Sequence, residues 1–384
     1  MSKPNLKVVD KLTITFLVDN NIEWMTKLPP GFTHEINQHI RQSPPDETTG
    51  VPILDFDNFC CGAHGFSALL ETQVNDEKPH LTLFDTGPDS LSLVRNIEAL
   101  RVPTYDIERV ITSHWHSDHT GGLLSFLRLR DAQQKQQQAS QQFASEAQPG
   151  SGGGGAGAVS QCIIDVHPDR PLLRGIAPGP TFDKVICAIP RDPTFSQIEE
   201  LGGVLERHAE GHVVAGGAVW VSGEIPRVTE WEQGKPGGMR WVEGEGPNGR
   251  GEWVTEQHIM DERYAAVDVA GKGLVLFSAC SHAGIVNVVK DAITTFSRPV
   301  YMIIGGLHLA GPEFVPRLQP TVDFLSKQLR PAPAYVLPMH CSGFRTKVAL
   351  EAALGEGCVP AGVGHRVEVI GNQADESHLF PPVY

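Results

Sequence analysis

The amino-acid sequence predicts a mixed α/β fold in which two packed β-sheets carry helices on their outer faces. Strand and helix patterns alternate strongly from residue 264 to residue 370, and strands precede helices in each half of the chain. A histidine-rich loop also stands at a strand-to-helix junction near residue 114. With 384 residues, 40% of them apolar, the chain can bury a full core.

The first half of the chain contains several strand patterns followed by helical patterns. Residues 12–18 alternate and then become wholly apolar, and residues 66–73 and 81–84 form two more strands joined by a turn. Helical spacing follows over residues 89–100, with Asp89 as its cap. Residues 108–112 end in three β-branched residues and predict a short buried strand that leads into the histidine loop.

The second half of the chain repeats this organisation after a less regular middle. The middle predicts strands at 162–166 and 184–188, a helix at 196–208 and an apolar run at 213–221. The second half then predicts strands at 264–269, 273–278, 299–304, 335–339 and 366–370, and helices at 285–296, 318–329 and 346–354.

Residues 132–161 interrupt this pattern with glutamine, alanine, serine and glycine. They offer little apolar surface, so we predict a disordered low-complexity insertion within a single domain spanning residues 1–384. The alternative interpretation is a segment that binds a partner.

The histidine loop, residues 113–123, reads Ser-His-Trp-His-Ser-Asp-His-Thr-Gly-Gly-Leu. Imidazole and carboxylate groups are ligands for zinc, iron or manganese, and four of them at this spacing cannot all reach one ion. The loop therefore predicts two divalent ions. Zinc is the preferred metal, and manganese or iron are the alternatives. A solvated loop rich in histidine is a poor explanation for three imidazoles in six positions. The predicted ligands here are His114, His116, Asp118 and His119.

Three further histidines follow apolar strands of the second half. His282 and His340 are predicted ligands, whereas His308 is either a ligand or a catalytic group. A structural histidine is the alternative for each. Asp85 ends a strand in Phe-Asp-Thr-Gly, where it caps a helix, orients a metal-bound imidazole, or does both.

The pattern His-x-His-x-Asp-His after a short strand resembles the signature of the metallo-β-lactamase superfamily. This resemblance implies an αββα sandwich, a dinuclear metal centre, hydrolytic activity and a position for Asp85 beside the metals. It does not imply a substrate, because one fold serves many chemistries.

Other motifs resemble the branch of 7,8-dihydropterin-6-methyl-4-(β-D-ribofuranosyl)aminobenzene 5'-phosphate synthases. These motifs are His64-Gly-Phe-Ser, Phe84-Asp-Thr-Gly, Ser222-Gly-Glu-Ile-Pro-Arg, Cys280-Ser-His-Ala-Gly-Ile, Gly305-Gly-Leu-His and His340-Cys-Ser-Gly. The resemblance favours a phosphorylated, anionic small-molecule substrate, with His64, Glu224 and Arg227 as substrate contacts; a surface ion pair is the alternative for Glu224 and Arg227. Asp261 is a candidate bridging carboxylate, and Cys280 is either a thiolate ligand or a buried apolar residue.

Three functions fit these residues. The first is a metal-dependent hydrolase of a phosphoester or anhydride, with Asp118 as ligand and water-orienting base and His308 or His64 as proton donor. The second is a transferase similar to the synthases named above, which releases pyrophosphate. The third is a non-catalytic metal-binding regulator.

Composition excludes several other classes. Lys and Arg number 31 against 45 Asp and Glu, a formal charge of −14, which argues against nucleic-acid binding. A signal peptide and an uninterrupted apolar stretch of membrane-spanning length are both lacking from the sequence, so we expect a cytoplasmic protein without membrane partners. The seven cysteines include no Cys-x-x-Cys pair and are expected to be reduced. The sequence leaves the oligomeric state open.

Overall fold

Two β-sheets pack face to face, and helices cover both outer faces of the pair, which confirms the predicted αββα layering. The computed structural model describes residues 4–146, 161–244, 249 and 251–384. Within these residues, no helix is both long enough and apolar enough to cross a membrane.

The first sheet has eight strands in the order β10-β7-β6-β5-β4-β2-β19-β3. Strands β2, β5 and β6 run in the same direction, because β2 and β5 each pair antiparallel with β4 and β5 pairs parallel with β6. The strands are β2 (Lys11–Val18), β3 (Phe32–Thr33), β4 (Ser67–Gln73), β5 (His80–Phe84), β6 (Arg109–Ile111), β7 (Cys162–Val166), β10 (Gly203–Arg207) and β19 (Arg366–Ile370).

The second sheet has seven strands, six of them in the order β11-β12-β15-β16-β17-β18, with β1 paired to β15. Strands β16, β17 and β18 are parallel to one another. The strands are β1 (Val8–Val9), β11 (His212–Val214), β12 (Val219–Val221), β15 (Ala265–Val269), β16 (Gly273–Ser278), β17 (Val300–Gly306) and β18 (Tyr335–Met339). A separate four-stranded sheet contains β8 (Arg174–Ile176), β9 (Cys187–Ala188), β13 (Gly238–Val242) and β14 (Glu252–Thr255).

Three apolar clusters hold the layers together. Phe16 and Phe84 of the first sheet meet Val267 and Phe277 of the second between the sheets. The outer faces are covered by helices, the second sheet by α6, α7 and α8 and the first by α2 and α4. The helices are α1 (Ile36–Gln42), α2 (Ser92–Leu100), α3 (Ser117–Thr120), α4 (Leu123–Glu146), α5 (Phe195–Glu200), α6 (Ile285–Phe296), α7 (Val315–Asp323) and α8 (Phe344–Leu354).

The structure differs from the sequence prediction in the middle of the chain. The helix predicted at residues 196–208 ends at Glu200, and β10 then pairs parallel with β7. Gly202, at φ +79°, and Gly203 interrupt the helix, since an added Cβ at Gly203 would lie 2.8 Å from Ile198. The strand predicted at 184–188 is reduced to β9, and the run at 213–221 contains two strands and a turn.

The predicted disorder of residues 132–161 is wrong for their first part, because α4 continues to Glu146. Alanine, glutamine and lysine are strong helix formers and outweigh the lack of apolar surface here. The helix also contacts the body of the protein where the Gln133 side-chain oxygen accepts hydrogen bonds from the Thr104 amide and hydroxyl, at 3.1 and 2.8 Å. Residues 147–160 lie outside the described residues, and their predicted disorder stays a prediction, as does the single-domain boundary.

The strand directions bring the predicted site residues to one edge of the sandwich. Segments that follow β2, β5 and β6 in the first sheet meet segments that follow β16, β17 and β18 in the second. These segments contain Asp19, Asp85, the histidine loop, Cys280 and His282, His308 and His340. Residues separated by more than 300 positions in sequence are therefore neighbours at this edge.

Candidate metal centre

Three buried histidines form the first group of donors. His114 Nε2 lies 2.9 Å from His116 Nδ1, and His282 Nε2 lies 3.2 Å from each of these two atoms. All three side chains are at most 5% exposed. The histidine loop supplies two of them and the segment after β16 supplies the third.

Hydrogen bonds determine which ring nitrogen of His114 is unprotonated. The Ser113 hydroxyl donates to Asp85 Oδ2 at 2.6 Å, so its oxygen accepts from the His114 Nδ1–H at 2.9 Å. His114 Nε2 is then unprotonated and faces the other two nitrogens. Burial lowers the pKa of His114, His116 and His282 well below the usual value, which favours the neutral form that binds a metal.

These three nitrogens fit a divalent metal. Two nitrogens bound tetrahedrally to Zn²⁺ at about 2.0–2.1 Å lie roughly 3.3 Å apart, close to the spacings in this group. If His116 and His282 also present lone pairs, as His114 does, a cation bound by all three nitrogens accounts for their convergence. The residues therefore fit a cation better than they fit one another.

A second group of donors lies directly beside the first. His340 Nε2 and His119 Nε2 lie 3.3 and 3.6 Å from Asp118 Oδ2, and His119 Nε2 lies 3.2 Å from Cys280 Sγ. The His114 and His119 ring centroids are 4.4 Å apart, so the two groups are adjacent. Although burial opposes it, the neighbouring imidazoles of His119, His340 and His116 hold the pKa of Asp118 well below its usual range.

Cys280 and Cys341 add two thiols to the second group. Their sulfur atoms lie 3.5 Å apart, and Cys280 is almost fully buried. Burial raises the pKa of the Cys280 thiol. Burial would also raise the pKa of the Cys341 thiol, but the contact of Cys341 with Cys280 and the nearby imidazoles of His340 and His308 lower it. The geometry makes Cys280 a possible ligand as well as a packed residue, so both interpretations of this cysteine remain open.

Asp85 links the histidine loop to the end of β5. Its carboxylate accepts from the Ser113 amide at 2.7 Å and from His119 Nδ1–H at 2.8 Å, which leaves His119 Nε2 free to face the metal centre. The helix-capping role belongs instead to Asp89, which accepts from the Ser92 amide at 2.7 Å. Asp85 is fully buried, so its lone pairs depend on these donors.

Backbone strain is concentrated at this edge of the sandwich. Nine non-glycine residues in the described part of the chain have positive φ, and four of them, Asp85, Ser281, His308 and His340, belong to the metal centre. Such conformations cost about 1–3 kcal/mol each and persist where the surroundings enforce them. Gly306 permits the close approach of Cys341, since an added Cβ would lie 2.6 Å from its sulfur.

Asp19 and Asn20, which directly follow β2, are supporting residues for which the sequence predicted no role in the site. Asp19 accepts from the His340 amide at 2.7 Å, and Asn20 Oδ1 accepts from His340 Nδ1–H at 3.0 Å. His340 Nε2 consequently faces Asp118 without a hydrogen. A carboxylate and an amide at the end of an apolar strand are the local signal, but their partner lies 320 residues away.

Asp261 does not occupy a bridging position. It pairs with Arg174, whose Nη2 lies 2.5 Å from Asp261 Oδ1, and it accepts from the Trp115 amide at 2.6 Å. The charge of Arg174 keeps the pKa of Asp261 below the usual value although burial opposes this. Asp261 therefore supports the backbone of the histidine loop from the side opposite Asp85.

The predicted catalytic and substrate residues lie around the two donor groups. His308 is partly buried, with its ring 4.4 Å from that of His282 and its Nδ1 without a hydrogen-bond partner in the described structure. His64 is 68% exposed, and its Nε2 lies 3.8 Å from Asp118 Oδ2. His308 is placed either to transfer a proton or to bind an ion with Cys280 and Cys341, because one potential ligand atom from each of the three lies within 4.8 Å of the others. The exposed ring of His64 suits proton transfer.

Glu224 and Arg227, the two predicted substrate contacts after β12, differ in burial. The Arg227 guanidinium is partly buried, contacts Met260 Sδ at 3.7 Å and has an Nε without a hydrogen-bond partner in the described residues. Glu224 is exposed, and its carboxylate makes no ion pair among the residues that the structure describes. The structure therefore does not contain the Glu224–Arg227 surface ion pair, and only Arg227 remains close to the loop of His282.

Lys235 is a cation that the sequence analysis missed. It lies in the segment before β13, is partly buried, and its ammonium has no hydrogen bond or ion pair among the described residues. Burial lowers its pKa, opposed by the charges of Cys280 and Asp118, so the ammonium lies near the second donor group. A glycine- and proline-rich irregular segment gave no local signal for this placement.

Sequence comparison identifies relatives of this chain. The family model described as "Metallo-beta-lactamase superfamily" matches residues 74–229, the segment that contains the histidine loop. A protein of Methanocaldococcus jannaschii named 7,8-dihydropterin-6-methyl-4-(beta-D-ribofuranosyl)-aminobenzene-5'-phosphate synthase is 28% identical over 289 residues, which cover 74% of this chain and 82% of that protein. An uncharacterized protein of the same organism is 25% identical, over 75% of this chain and 87% of that protein.

Structure comparison supports the same fold. The crystal structure of Tm1679, described as a metal-dependent hydrolase of the β-lactamase superfamily, aligns with a TM-score of 0.58 at 18% identity. The alignment covers 94% of this chain and 99% of Tm1679. At this identity the similarity shows the fold alone.

Asp85→Asn is predicted to weaken binding of the ion held by His119. The asparagine keeps the shape of the side chain but presents an NH₂ group to either the Ser113 amide or the imidazole, which removes an acceptor for one of them. We expect a loss of roughly 10–100-fold in metal affinity, measured by competition with a chromophoric chelator. Asp89→Asn is the matched control, because it changes the cap of α2 and not the site; equal affinities for all three proteins would contradict the role of Asp85.

Proposed function

We propose that this chain is a metal-dependent hydrolase of the metallo-β-lactamase superfamily, whose family model matches residues 74–229, and that its substrate is a small anionic phosphoester or anhydride. The observation that carries the proposal is the adjacency of two donor groups, three imidazoles in one and Asp118, His119 and His340 in the other. The two groups offer nitrogen and oxygen ligands to two divalent ions, zinc first, with manganese or iron as alternatives.

Bound divalent ions would supply Lewis acidity and a water of lowered pKa at this edge of the sandwich. Asp118 is the residue best placed to orient the attacking water and accept its proton. Its carboxylate is 25% exposed, whereas the imidazoles around it are buried, so it faces the space where a substrate enters. Its low pKa keeps it ionised, as a metal ligand and a carboxylate that orients water must be.

Two cations favour an anionic substrate. Lys235 and Arg227 are partly buried and keep donors without protein partners near the metal centre. Partly buried cationic donors without hydrogen-bond partners are costly, and a phosphate or carboxylate group of the substrate would accept from them. We assign Lys235 to the charged group next to the reacting centre and Arg227 to a more peripheral anionic group.

Protonation of the leaving group is assigned to His308 or His64. His308 has a free Nδ1 beside His282, and His64 has an exposed ring beside Asp118. A general acid must reach the leaving oxygen within hydrogen-bond distance, and these two imidazoles approach the site from different sides. His308 is preferred, because its partial burial protects the transferred proton from bulk water.

A transferase is the second candidate function. It is favoured by the relative named as a synthase, which aligns over most of both chains. The same residues would then polarise a pyrophosphate leaving group while an organic nucleophile replaces water. Pyrophosphate release that requires a second organic substrate would support transfer, and release in water alone would support hydrolysis.

Asp118→Asn is predicted to lower kcat for bis(p-nitrophenyl) phosphate by roughly 10² or more, because the amide cannot accept a proton from water. His114, His116 and His282 remain intact, so about one ion per chain should be retained. The measurement is steady-state hydrolysis of the zinc-loaded protein together with elemental analysis. Asp131→Asn, which changes a surface carboxylate paired with Lys135, is the matched control. If Asp118→Asn keeps near wild-type turnover, Asp118 does not orient the water, and that role belongs to His308 or another carboxylate. If the wild-type protein is inactive on every phosphoester and anhydride tested, the transferase becomes the better candidate function than the hydrolase.

Lys235→Met is predicted to reduce kcat/KM for an anionic phosphoester by about 10–100-fold, the value of a hydrogen bond to a charged group. Hydrolysis of an uncharged ester such as p-nitrophenyl acetate should change much less, which separates charge recognition from general damage. Lys78→Met, at an exposed lysine, is the control. An equal loss on both substrates would show that Lys235 supports the fold or the metals instead of the substrate anion.

A further inference from the structure

A second cluster of metal-binding side chains lies at the edge of the first sheet. His34 directly follows β3 and His365 directly precedes β19, and the antiparallel pairing of Thr33 with Arg366 places the two histidines opposite each other. Glu35 is next to His34 in sequence. One potential ligand atom from each of His34, Glu35 and His365 lies within 4.8 Å of the other two.

The hydrogen bonds of His34 leave a lone pair without a donor. His34 Nε2 lies 2.7 Å from the Thr26 carbonyl and must carry the hydrogen of the neutral ring. His34 Nδ1 is then unprotonated, yet it lies 3.0 Å from the Glu23 carbonyl oxygen and 3.2 Å from His365 Nε2. His365 Nε2 also contacts the Glu23 carbonyl oxygen. While both rings are neutral, these three acceptor atoms share at most one hydrogen.

Glu35 places a negative charge beside these acceptors. Its side chain is 3% exposed, and neither carboxylate oxygen has a hydrogen-bond partner in the described structure. His365 is fully buried, and its Nδ1 also has no partner there. Burial raises the pKa of Glu35 to about 7, because the neighbouring His34 offsets the cost of burying the carboxylate only in part. Unpaired buried groups of this kind are costly unless something outside the protein chain satisfies them.

We propose that His34, Glu35 and His365 bind a divalent cation of the zinc type at a site separate from the catalytic centre. Two imidazoles and one carboxylate are a common zinc donor set, and the spacing of His34 Nδ1 and His365 Nε2 equals the 3.2 Å spacings among the catalytic histidines. The cation replaces the missing hydrogen-bond donors and neutralises Glu35. Gly364 makes room for the carboxylate, since an added Cβ would lie 2.6 Å from Glu35 Cγ.

The site is open to solvent on one side. A cleft of about 550 Å³ is lined by His34, Glu35, Gly364 and Arg366 among other residues, and His34 is partly exposed. An ion could enter through this cleft without unfolding of the sheet. The bound ion would join the start of β19 to His34 and Glu35, which directly follow β3, so that chain segments 331 residues apart are connected. His34 also contacts the carbonyl oxygens of Glu23 and Thr26 in the segment between β2 and β3.

The same segment supports the catalytic centre. Glu23, whose carbonyl oxygen contacts both histidines, is three residues beyond Asn20, which holds His340. The Asn21 carbonyl also accepts from the Val363 amide at 2.9 Å. The proposed ion therefore stabilises the segment that orients His340, and its removal should lower thermal stability without touching a ligand of the catalytic centre.

The test counts zinc in the full-length protein. Wild-type protein, His34→Gln and Glu35→Gln are loaded with ZnCl₂, freed of unbound metal by gel filtration and analysed by inductively coupled plasma mass spectrometry. We expect each variant to contain one ion fewer per chain than wild type and to have a lower melting temperature in zinc, with the difference abolished in a chelator. His258→Gln and Glu47→Gln, at exposed positions, are matched controls and should bind as much zinc as wild type.

Two results would overturn the proposal. Folded His34→Gln and Glu35→Gln proteins with the wild-type zinc content would show that the cluster binds no ion and that a proton neutralises Glu35. A loss of zinc in the controls as well would show that the extra ions bind to general surface groups. If one variant fails to fold, the other decides, because Glu35→Gln keeps the side-chain volume and His34 is partly exposed.

Discussion

Imidazole nitrogens converge on one edge of the sandwich at distances of 2.9–3.2 Å, and this arrangement fits a cation bound among them. Burial keeps His114, His116 and His282 neutral, so they offer lone pairs and few hydrogens to one another. The strained backbone at Asp85, Ser281, His308 and His340 is held by the packing around this edge. Cation binding explains why a stable fold would keep these groups so close.

The residues around the donors determine which nitrogen of each ring faces the centre. Asp85 and Ser113 hold His119 and His114 by their Nδ1 atoms, and Asn20 holds His340 in the same way. These partners come from the ends of strands in the first sheet, whereas His282 and His340 come from the second. The packing of the two sheets thus sets the geometry of the site, and the shared cluster of apolar residues between them is a condition for function.

The sequence predicted what depends on local patterns. Three histidines in six positions indicated the metal loop, and apolar strands ending in His282, His308 and His340 indicated where further donors would lie. The supporting roles of Asp19, Asn20 and Lys235 could not be predicted, because their partners lie far away in sequence and only the pairing of the sheets brings them together. Low complexity was a poor guide to the start of residues 132–161, where helix propensity and the contact of Gln133 with Thr104 extend α4.

Anomalous diffraction at the metal absorption edge is the most direct test of the central claim. Crystals of protein loaded in turn with zinc, manganese and iron would be measured on both sides of each edge. The account predicts two neighbouring ions at the carboxyl ends of the central strands, one between His114, His116 and His282 and one beside Asp118, His119 and His340. Crystals without an anomalous peak at either position, for all three metals, would contradict it.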